Sequence, residues 1–199
     1  FGLHLQIYQG VELGLQKNNV AENRQFVQNY PFDFILGSVH TIDGKEISSG
    51  AFYEGKSKDA AYGKYFQTVY EMVEQHCCFH CLGHLDLIRR RGNYENNQID
   101  YGKYGELIDG ILQRLIDTGR GLEVNTAGIR YGVGSVHPDL PILQRYRALG
   151  GEIGSCGADG HRLDDVGKDI ELGYQVLKDC GFRFVSLFRE GKEQRLLLK

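Results

Sequence analysis

The segment Glu152–Phe188, EIGSCGADGHRLDDVGKDIELGYQVLKDCGFRFVSLF, contains the pattern that is most informative about the fold class. Its two ends are short runs of apolar and small residues that are typical of strands, and its middle, 163–181, has the apolar spacing of an amphipathic helix. A helix between two strands is the usual connection between neighbouring parallel strands. The segment therefore predicts a β-α-β unit with a glycine-rich polar corner after its first strand.

Strands and helices alternate outward from this unit along the whole chain. Such alternation is typical of a parallel sheet with helical crossovers, either an open doubly wound sheet or a closed barrel. No repeat, low-complexity segment or domain linker is present, so the 199 residues are expected to form one domain. The predicted strands are 3–13, 32–39, 79–83, 121–125, 152–157 and 182–188, and the predicted helices are 19–30, 58–76, 104–119, 138–151 and 163–181.

The composition argues against several classes of protein. Charged residues make up 25% of the chain and are interspersed, with a net charge of −3, so a basic surface for nucleic acid is not expected. The sequence shows no signal peptide and no apolar run of the ~18 residues that span a bilayer, so no membrane partner is expected. The five cysteines are an odd number, which argues against a disulfide framework and favours a cytoplasmic protein.

The cysteine-rich stretch HCCFHCLGH, residues 76–84, has the composition of a zinc-binding segment. A structural zinc site needs ligands in separated pairs, and here Cys78 and Cys81 form one CxxC without a second pair elsewhere. Alternate residues of a strand face opposite sides, and cysteine is common in protein cores. We therefore predict a core strand at this place.

Carboxylates, imidazoles and other polar groups lie at or just after the carboxyl ends of five consecutive predicted strands. In a parallel barrel the carboxyl ends of the strands form one face, which carries the active site, whereas an open sheet gathers such residues less well. Mixed imidazole and carboxylate ligands suit zinc, iron or manganese. Any one residue could instead be a hydrogen-bonded structural residue or a helix cap, but the combination favours a barrel with a metal site. The residues are Glu12, Ser38, His40, His84, Asp86, Asn125, Asp159 and His161.

Four motifs follow one another in a specific order and spacing: FDFILGSVHTIDG, LGHLDLIRR, EVNTAGIR and GADGHRLDDVG. In these motifs, and from GVELG to the closing GFRFVSLFREGKEQRLLL, the chain resembles the PHP (polymerase and histidinol phosphatase) family, most of all its histidinol-phosphate phosphatase branch. The resemblance implies an α/β fold, a distorted parallel (β/α)7 barrel, with two or three divalent metal ions. Glu12 corresponds to a glutamate that bridges two metals, and the other expected ligands are His40, His84, Asp159 and His161.

The beginning of the chain departs from this family pattern. Family members open with a strand that carries a His-x-His motif, and no such motif precedes Glu12, because His4 stands alone. We therefore expect residues 1–199 to form a single PHP domain that is N-terminally incomplete and lacks its first strand-helix unit. On this expectation the chain binds metal weakly or incompletely, and the strands beside the gap have unpaired edges.

The resemblance also implies a function. It predicts a metal-dependent phosphomonoesterase that hydrolyses L-histidinol phosphate in histidine biosynthesis, with this small phosphate ester as its partner. Glu12, Asp159 and His161 are the expected catalytic residues. The alternatives are another PHP-type phosphoesterase, or a catalytically inactive metal-binding or regulatory PHP domain, and the oligomeric state is left open.

Three further residues are expected to bind substrate. Arg130, in NTAGIR just after the fourth predicted strand, is well placed to bind phosphate in a bidentate manner, although it could also be a solvated loop residue. Arg89 and Arg90 are weaker candidates for the same role. Ser38 and Asn125 follow two other strands and can donate hydrogen bonds to the substrate or to the ligands around it.

Overall fold

The computed structural model of the protein describes residues 6–92 and 94–199. The strands are β1 (Gly10–Gly14), β2 (Phe34–Ser38), β3 (Thr41–Ile42), β4 (Lys45–Glu46), β5 (Cys81–Leu82), β6 (Gly121–Asn125), β7 (Gly154–Gly157), β8 (Phe184–Arg189) and β9 (Lys192–Leu197). The α-helices are α1 (Val20–Asn29), α2 (Lys58–Gln75), α3 (Tyr101–Asp117), α4 (Ala127–Arg130), α5 (Leu140–Ala148) and α6 (Ile170–Asp179), and short 3-10 helices cover Ala51–Tyr53, Leu87–Arg90 and Leu163–Asp165.

Five strands form the central sheet in the order β1-β2-β5-β6-β7, and every neighbouring pair is parallel. This confirms the predicted α/β class with a parallel sheet. Among the described residues no hydrogen-bonded pairing joins β7 back to β1, so the sheet is open there and is not a closed barrel. The carboxyl ends of β1, β2 and β5 are adjacent along one edge, which brings the residues that follow these strands together.

The last predicted strand does not join the parallel sheet, and that part of the prediction was wrong. β8 instead pairs antiparallel with β9, a strand that the sequence analysis did not identify. Glu190 and Gly191 connect them with φ values of 51° and 71°, and two positive φ angles are what a type I′ two-residue hairpin turn requires. The segment Glu152–Phe188 is therefore strand-helix-strand in order, but its second strand belongs to a hairpin.

Several predicted elements are shorter than expected, most of all the first strand and the last helix. The strand predicted over 3–13 is observed only from Gly10, and its first residues, 3–5, lie outside the described part of the chain. The helix predicted over 163–181 begins at Ile170, after a 3-10 turn at Leu163–Asp165. The glycine-rich corner after β7 is thus longer than the periodicity indicated.

The long helices α2 and α3 bury the faces that the apolar periodicity predicted, whereas α1 has no buried residue. Asp100 caps α3, its side chain accepting from the backbone N–H of Gly102 at 3.0 Å, and Ser57 caps α2 in the same way through Ala60 at 3.2 Å. Full burial stabilises the fold by about 1.5–3 kcal/mol for each large apolar side chain. No helix in the described residues is both long and apolar enough to cross a membrane. On α3 the buried side chains are Tyr104, Ile108, Ile111, Leu112 and Leu115.

The β8–β9 hairpin is anchored to the central sheet through an aromatic stack. The ring of Phe188 lies 4.8 Å from the ring of His80 and 5.2 Å from that of Phe34, measured between centroids. His80 directly precedes β5, and its Nδ1 accepts a hydrogen bond of 2.9 Å from the backbone N–H of Ile35. Because Nδ1 accepts this bond, the imidazole must be unprotonated at that atom. Burial accordingly lowers the pKa of His80.

We expect the stability of the metal-free protein to fall as the pH is lowered from about 7.5 to about 5.5. The folded pKa of His80 lies below the unfolded value of about 6.5, so its contribution is present above that value and is lost as the pH falls towards the folded pKa. The variant His80→Asn keeps an acceptor for Ile35 and cannot titrate, so it should have a shallower pH dependence. Urea unfolding at several pH values measures this, and equal slopes for both proteins would contradict the assignment to His80.

Candidate metal centre

Three side chains converge at the carboxyl edge of the sheet. Oε1 of Glu12 lies 3.1 Å from Nε2 of His84 and 3.3 Å from Nε2 of His40, and the two Nε2 atoms are 3.1 Å apart. A carboxylate oxygen and two imidazole nitrogens within this distance of one another can share one cation. Nitrogen and oxygen donors of these types suit zinc and other divalent transition metals.

The strand order explains why these three residues meet. Glu12 is the central residue of β1, whereas His40 and His84 each follow the last residue of their strand, β2 or β5, by two positions. Because the three strands are parallel neighbours, the loops after β2 and β5 start at the same edge, and both imidazoles come within 3.3 Å of the carboxylate of Glu12 in β1. His84 is almost completely buried and has a positive φ of 24°, an unfavourable backbone conformation for a residue with a side chain. Such conformations concentrate at functional sites.

The charge of Glu12 is stabilised by its two neighbours. Partial burial alone raises the pKa of its carboxyl group, but hydrogen bonds from the imidazoles of His40 and His84 outweigh that effect and hold the pKa well below its usual range. Glu12 is therefore a carboxylate near neutral pH, as a metal ligand must be. The donor set thus fits a divalent cation in both geometry and charge.

A second carboxylate, Glu123 in β6, contacts this cluster through the backbone of His84. It is buried, and its Oε2 accepts hydrogen bonds of 3.1 Å from the backbone N–H of His84 and from Nδ2 of Asn125. Burial raises the pKa of the Glu123 carboxyl group. Glu123 was not among the site residues predicted from the sequence, although all five residues of GLEVN are buried and a carboxylate in such a strand is an unusual residue.

A cavity of about 680 Å³ opens above the cluster. All five predicted metal ligands line it, but Asp159 and His161 stand apart from the other three. Asp159 directs Oδ2 to Nη2 of Arg90 at 3.1 Å, and Nδ1 of His161 lies 3.0 Å from the carbonyl oxygen of Asp159. The side chain of His161 is 75% exposed. Metal ligation by these two residues stays a prediction.

The PHP domain family model matches residues 2–127, which is more than half of the chain. The chain belongs to the PHP domain family. A probable histidinol-phosphatase of Clostridium acetobutylicum is 29% identical to this PHP domain over 175 residues, which cover 87% of the chain and 68% of the relative. A histidinol-phosphatase of Lactococcus lactis is 29% identical over 186 residues, which cover 92% of the chain and 68% of the relative.

A solved structure shows the same likeness in three dimensions. The crystal structure of the histidinol phosphate phosphatase from Lactococcus lactis, in complex with zinc, L-histidinol and phosphate, superimposes on this PHP domain with a TM-score of 0.82. The two proteins are 27% identical, and the match covers 96% of this chain and 72% of the other. That residues 1–199 form a single, N-terminally incomplete domain stays a prediction.

Of the three residues predicted to bind substrate, one lines the cavity of this PHP domain and two are buried outside its lining. Arg130 lines the cavity, and its Nη2 donates to the carbonyl oxygens of Ala158 at 3.1 Å and Asp159 at 2.9 Å. Ser38 and Asn125 are buried and do not belong to the cavity lining. Direct substrate contact by these three residues stays a prediction. The side chain of Asn125 is hydrogen-bonded to Glu123 and to the backbone N–H of Ala127, whereas Oγ of Ser38 is buried without a hydrogen-bond partner among the described residues.

Arg90, which the sequence indicates only as a weaker phosphate-binding candidate than Arg130, also lines the cavity. It ends the 3-10 helix Leu87–Arg90, which directly follows the loop of His84 and Asp86. Its guanidinium lies 4.7 Å from the ring centroid of Tyr131. The motif LGHLDLIRR places two arginines shortly after a predicted metal ligand, and this proximity is the sequence signal for Arg90.

Proposed function

We propose that this chain is a metal-dependent phosphatase that hydrolyses L-histidinol phosphate to L-histidinol and phosphate. One observation carries the proposal: the Glu12, His40 and His84 cluster lies at the wall of a cavity of about 680 Å³. The fold matches, at a TM-score of 0.82, a phosphatase structure that holds zinc, L-histidinol and phosphate together. The names of the curated relatives support the same substrate.

The metal ligands in this proposal are residues of the cavity. Oε1 of Glu12 and the Nε2 atoms of His40 and His84 would hold one divalent ion, and Asp159 and His161 would contribute to a second or third. Zinc, iron and manganese all suit these donors. A bound divalent cation supplies Lewis acidity towards a phosphoryl oxygen and activates water near neutral pH.

The other walls of the cavity suit an anionic substrate. Arg90, Arg91 and Arg130 line it, together with Tyr131 and Ser48. Guanidinium groups match the oxygens of a phosphate in charge and in hydrogen-bond direction. The cations at the base and the arginines at the wall would therefore hold the phosphoryl group between them, with its leaving group towards the opening.

The proposed function also suggests where in the cell the protein acts. The five cysteines are all unpaired, which suits a reducing compartment. The biosynthetic names of the relatives agree with a protein of the cytoplasm. We propose a small phosphate ester as its partner, and neither a membrane nor a nucleic acid.

Phosphatase assays on a substrate panel test the proposed function. Protein loaded in turn with zinc, iron and manganese is offered L-histidinol phosphate, other phosphate monoesters and a phosphodiester. Preferred hydrolysis of L-histidinol phosphate is expected. Preference for another ester would favour a different PHP-type phosphoesterase, and stoichiometric metal without hydrolysis of any ester would favour a regulatory domain.

We expect Arg130→Ala to lower kcat/KM for the phosphate ester roughly 10- to 100-fold, which corresponds to the ~1.5–3 kcal/mol of a charge-assisted hydrogen bond. The substitution also frees the carbonyl groups of Ala158 and Asp159, so the loop that carries His161 should become less well fixed. The variant Arg130→Lys keeps the charge and should retain part of the phosphate affinity. Steady-state kinetics of both variants check this, and unchanged KM and kcat would return Arg130 to a structural role.

A further inference from the structure

A buried carboxylate and a buried histidine lie behind Arg90, beside the three-residue metal cluster. Asp86 and His137 are both fully buried, and Oδ1 of Asp86 is hydrogen-bonded to Nδ1 of His137. The other oxygen, Oδ2, accepts from Nη1 of Arg89 at 3.0 Å and from the backbone N–H of Asp139 at 2.9 Å. Both oxygens of the Asp86 carboxylate are thus used, and the side chain is fixed in place.

These contacts determine the tautomer of His137. Nε2 of His137 lies 3.1 Å from Nε of Arg90, and an arginine nitrogen can only donate. Nε2 must therefore be the unprotonated acceptor, and the proton of the neutral imidazole is on Nδ1, from which it is donated to Asp86. The hydrogen bonds run in one direction, from Arg90 to His137 to Asp86.

The opposite side of Arg90 faces the cavity. Its Nη2 donates to Oδ2 of Asp159 at 3.1 Å and to Oδ1 of Asn125 at 3.4 Å. The guanidinium lies against the ring of Tyr131, at 4.7 Å from the centroid. Within the described residues the side-chain hydrogen bonds of Arg90 use Nε and Nη2, which leaves Nη1 for an anion in the cavity.

We propose that Asp86 and His137 are positioning residues, which hold the guanidinium of Arg90 at the cavity wall so that it can bind a phosphoryl oxygen. An arginine side chain has many rotamers, and binding an anion with a mobile one costs conformational entropy. The acceptor at Nε2 of His137 restricts Arg90 to one orientation before the anion arrives. The inference rests on the proposed function, because it assigns the anion as the phosphoryl group of the substrate.

Two substitutions of His137 separate positioning from simple packing. In His137→Asn the amide nitrogen replaces Nδ1 and keeps the hydrogen bond to Asp86, but the acceptor for Arg90 is lost. In His137→Gln the amide oxygen replaces Nε2 and keeps the acceptor for Arg90, while the bond to Asp86 is weakened. A positioning role predicts that Asn is the more damaging substitution for phosphate binding, whereas a purely structural role predicts that Gln is at least as damaging, because it leaves a buried carboxylate poorly paired.

The measurement is the affinity of the metal-loaded protein for inorganic phosphate, by calorimetry, together with KM for the ester. We expect His137→Asn to weaken phosphate binding roughly tenfold, in the range typical of residues that orient a direct ligand, and His137→Gln to weaken it less. In an Arg90→Ala background His137→Asn should have no further effect, because it acts through Arg90. An effect of equal size in that background, or unchanged phosphate affinity in His137→Asn, would overturn the inference.

Nitrogen-15 NMR of the wild-type imidazoles gives a test that needs no variant. A proton on Nδ1 and a bare Nε2 are expected for His137, and the opposite tautomer would overturn the inference even if the variants fail to fold. Phosphate binding that depends on His137 in a protein that does not hydrolyse L-histidinol phosphate would contradict the proposed function but support the positioning role. Hydrolysis of L-histidinol phosphate that is insensitive to His137→Asn would support the proposed function but contradict the positioning role.

Discussion

The variant Glu12→Gln should lose more than ~99% of phosphatase turnover and still fold. Glu12 contributes the oxygen that the two imidazoles of His40 and His84 approach, so Gln keeps the size of the side chain but removes its negative charge. Changes to residues that merely orient metal ligands typically cost ~10–100-fold in affinity or activity, and loss of a charged ligand should exceed that range. Metal content and kcat are expected to fall together.

A matched control separates this effect from a general change in charge. Glu106 is an exposed residue of α3, so Glu106→Gln removes the same charge far from the cavity and should change neither metal content nor kcat. Elemental analysis and steady-state kinetics are compared for the three proteins, and urea unfolding reports on the fold. Near wild-type turnover in Glu12→Gln would exclude Glu12 as a metal ligand.

The part of the site that depends on strand order could be predicted from the sequence. Strand-like runs end just before His40 and His84, and parallel strands present such positions along one edge, so the approach of these two residues to each other follows from periodicity. Glu12 was expected at the end of its strand and instead lies in the middle of β1. The assignment to the PHP family is confirmed by the match over residues 2–127. These inferences hold because they depend on the direction and order of strands and on no single contact.

The relative direction of the Asp159 and His161 side chains could not be predicted from the sequence. Two residues apart, side chains point the same way only when the backbone is extended. Asp159 has a φ of 51°, so the segment is not extended, and the exposed imidazole of His161 folds back towards the carbonyl oxygen of Asp159. The directions of these two side chains depend on the backbone dihedral angle of Asp159, and this angle cannot be read from a pattern of residue types.

The hairpin of β8 and β9 was missed for a different reason. The strand Lys192–Leu197 is largely exposed and mostly polar, so it lacks the alternation that marks a half-buried strand. A largely apolar run such as FRFVSLF also does not indicate whether its partner strand is parallel or antiparallel. The sequence signal for the hairpin was the turn at Glu190 and Gly191. The regular alternation of strands and helices before it favoured another parallel strand instead.

Arg120 contributes to the stability of the fold, and no sequence motif predicts this contribution. It is almost fully buried just before β6, and it joins that strand to the end of α2. Nη2 and Nη1 donate to the carbonyl oxygens of Val73 at 2.8 Å and His76 at 2.7 Å, and Nε donates to Oγ1 of Thr118 at 2.8 Å. The guanidinium also lies 4.5 Å from the ring centroid of Phe79. The last carbonyl groups of a helix lack partners within the helix, so this side chain satisfies groups that α2 cannot.

We expect Arg120→Ala to lower the free energy of unfolding by about 3–5 kcal/mol, because two buried carbonyl groups at ~1–3 kcal/mol each lose their donor together with the contact to Phe79. Arg120→Lys can reach only one carbonyl at a time and should lose about half as much. Arg145→Ala is the matched control: its side chain is 44% exposed and pairs with Asp109, so its removal should cost less than ~1 kcal/mol. Urea unfolding of the metal-free proteins measures all three, and equal losses for Arg120→Ala and Arg145→Ala would show that the carbonyl groups of α2 find other partners.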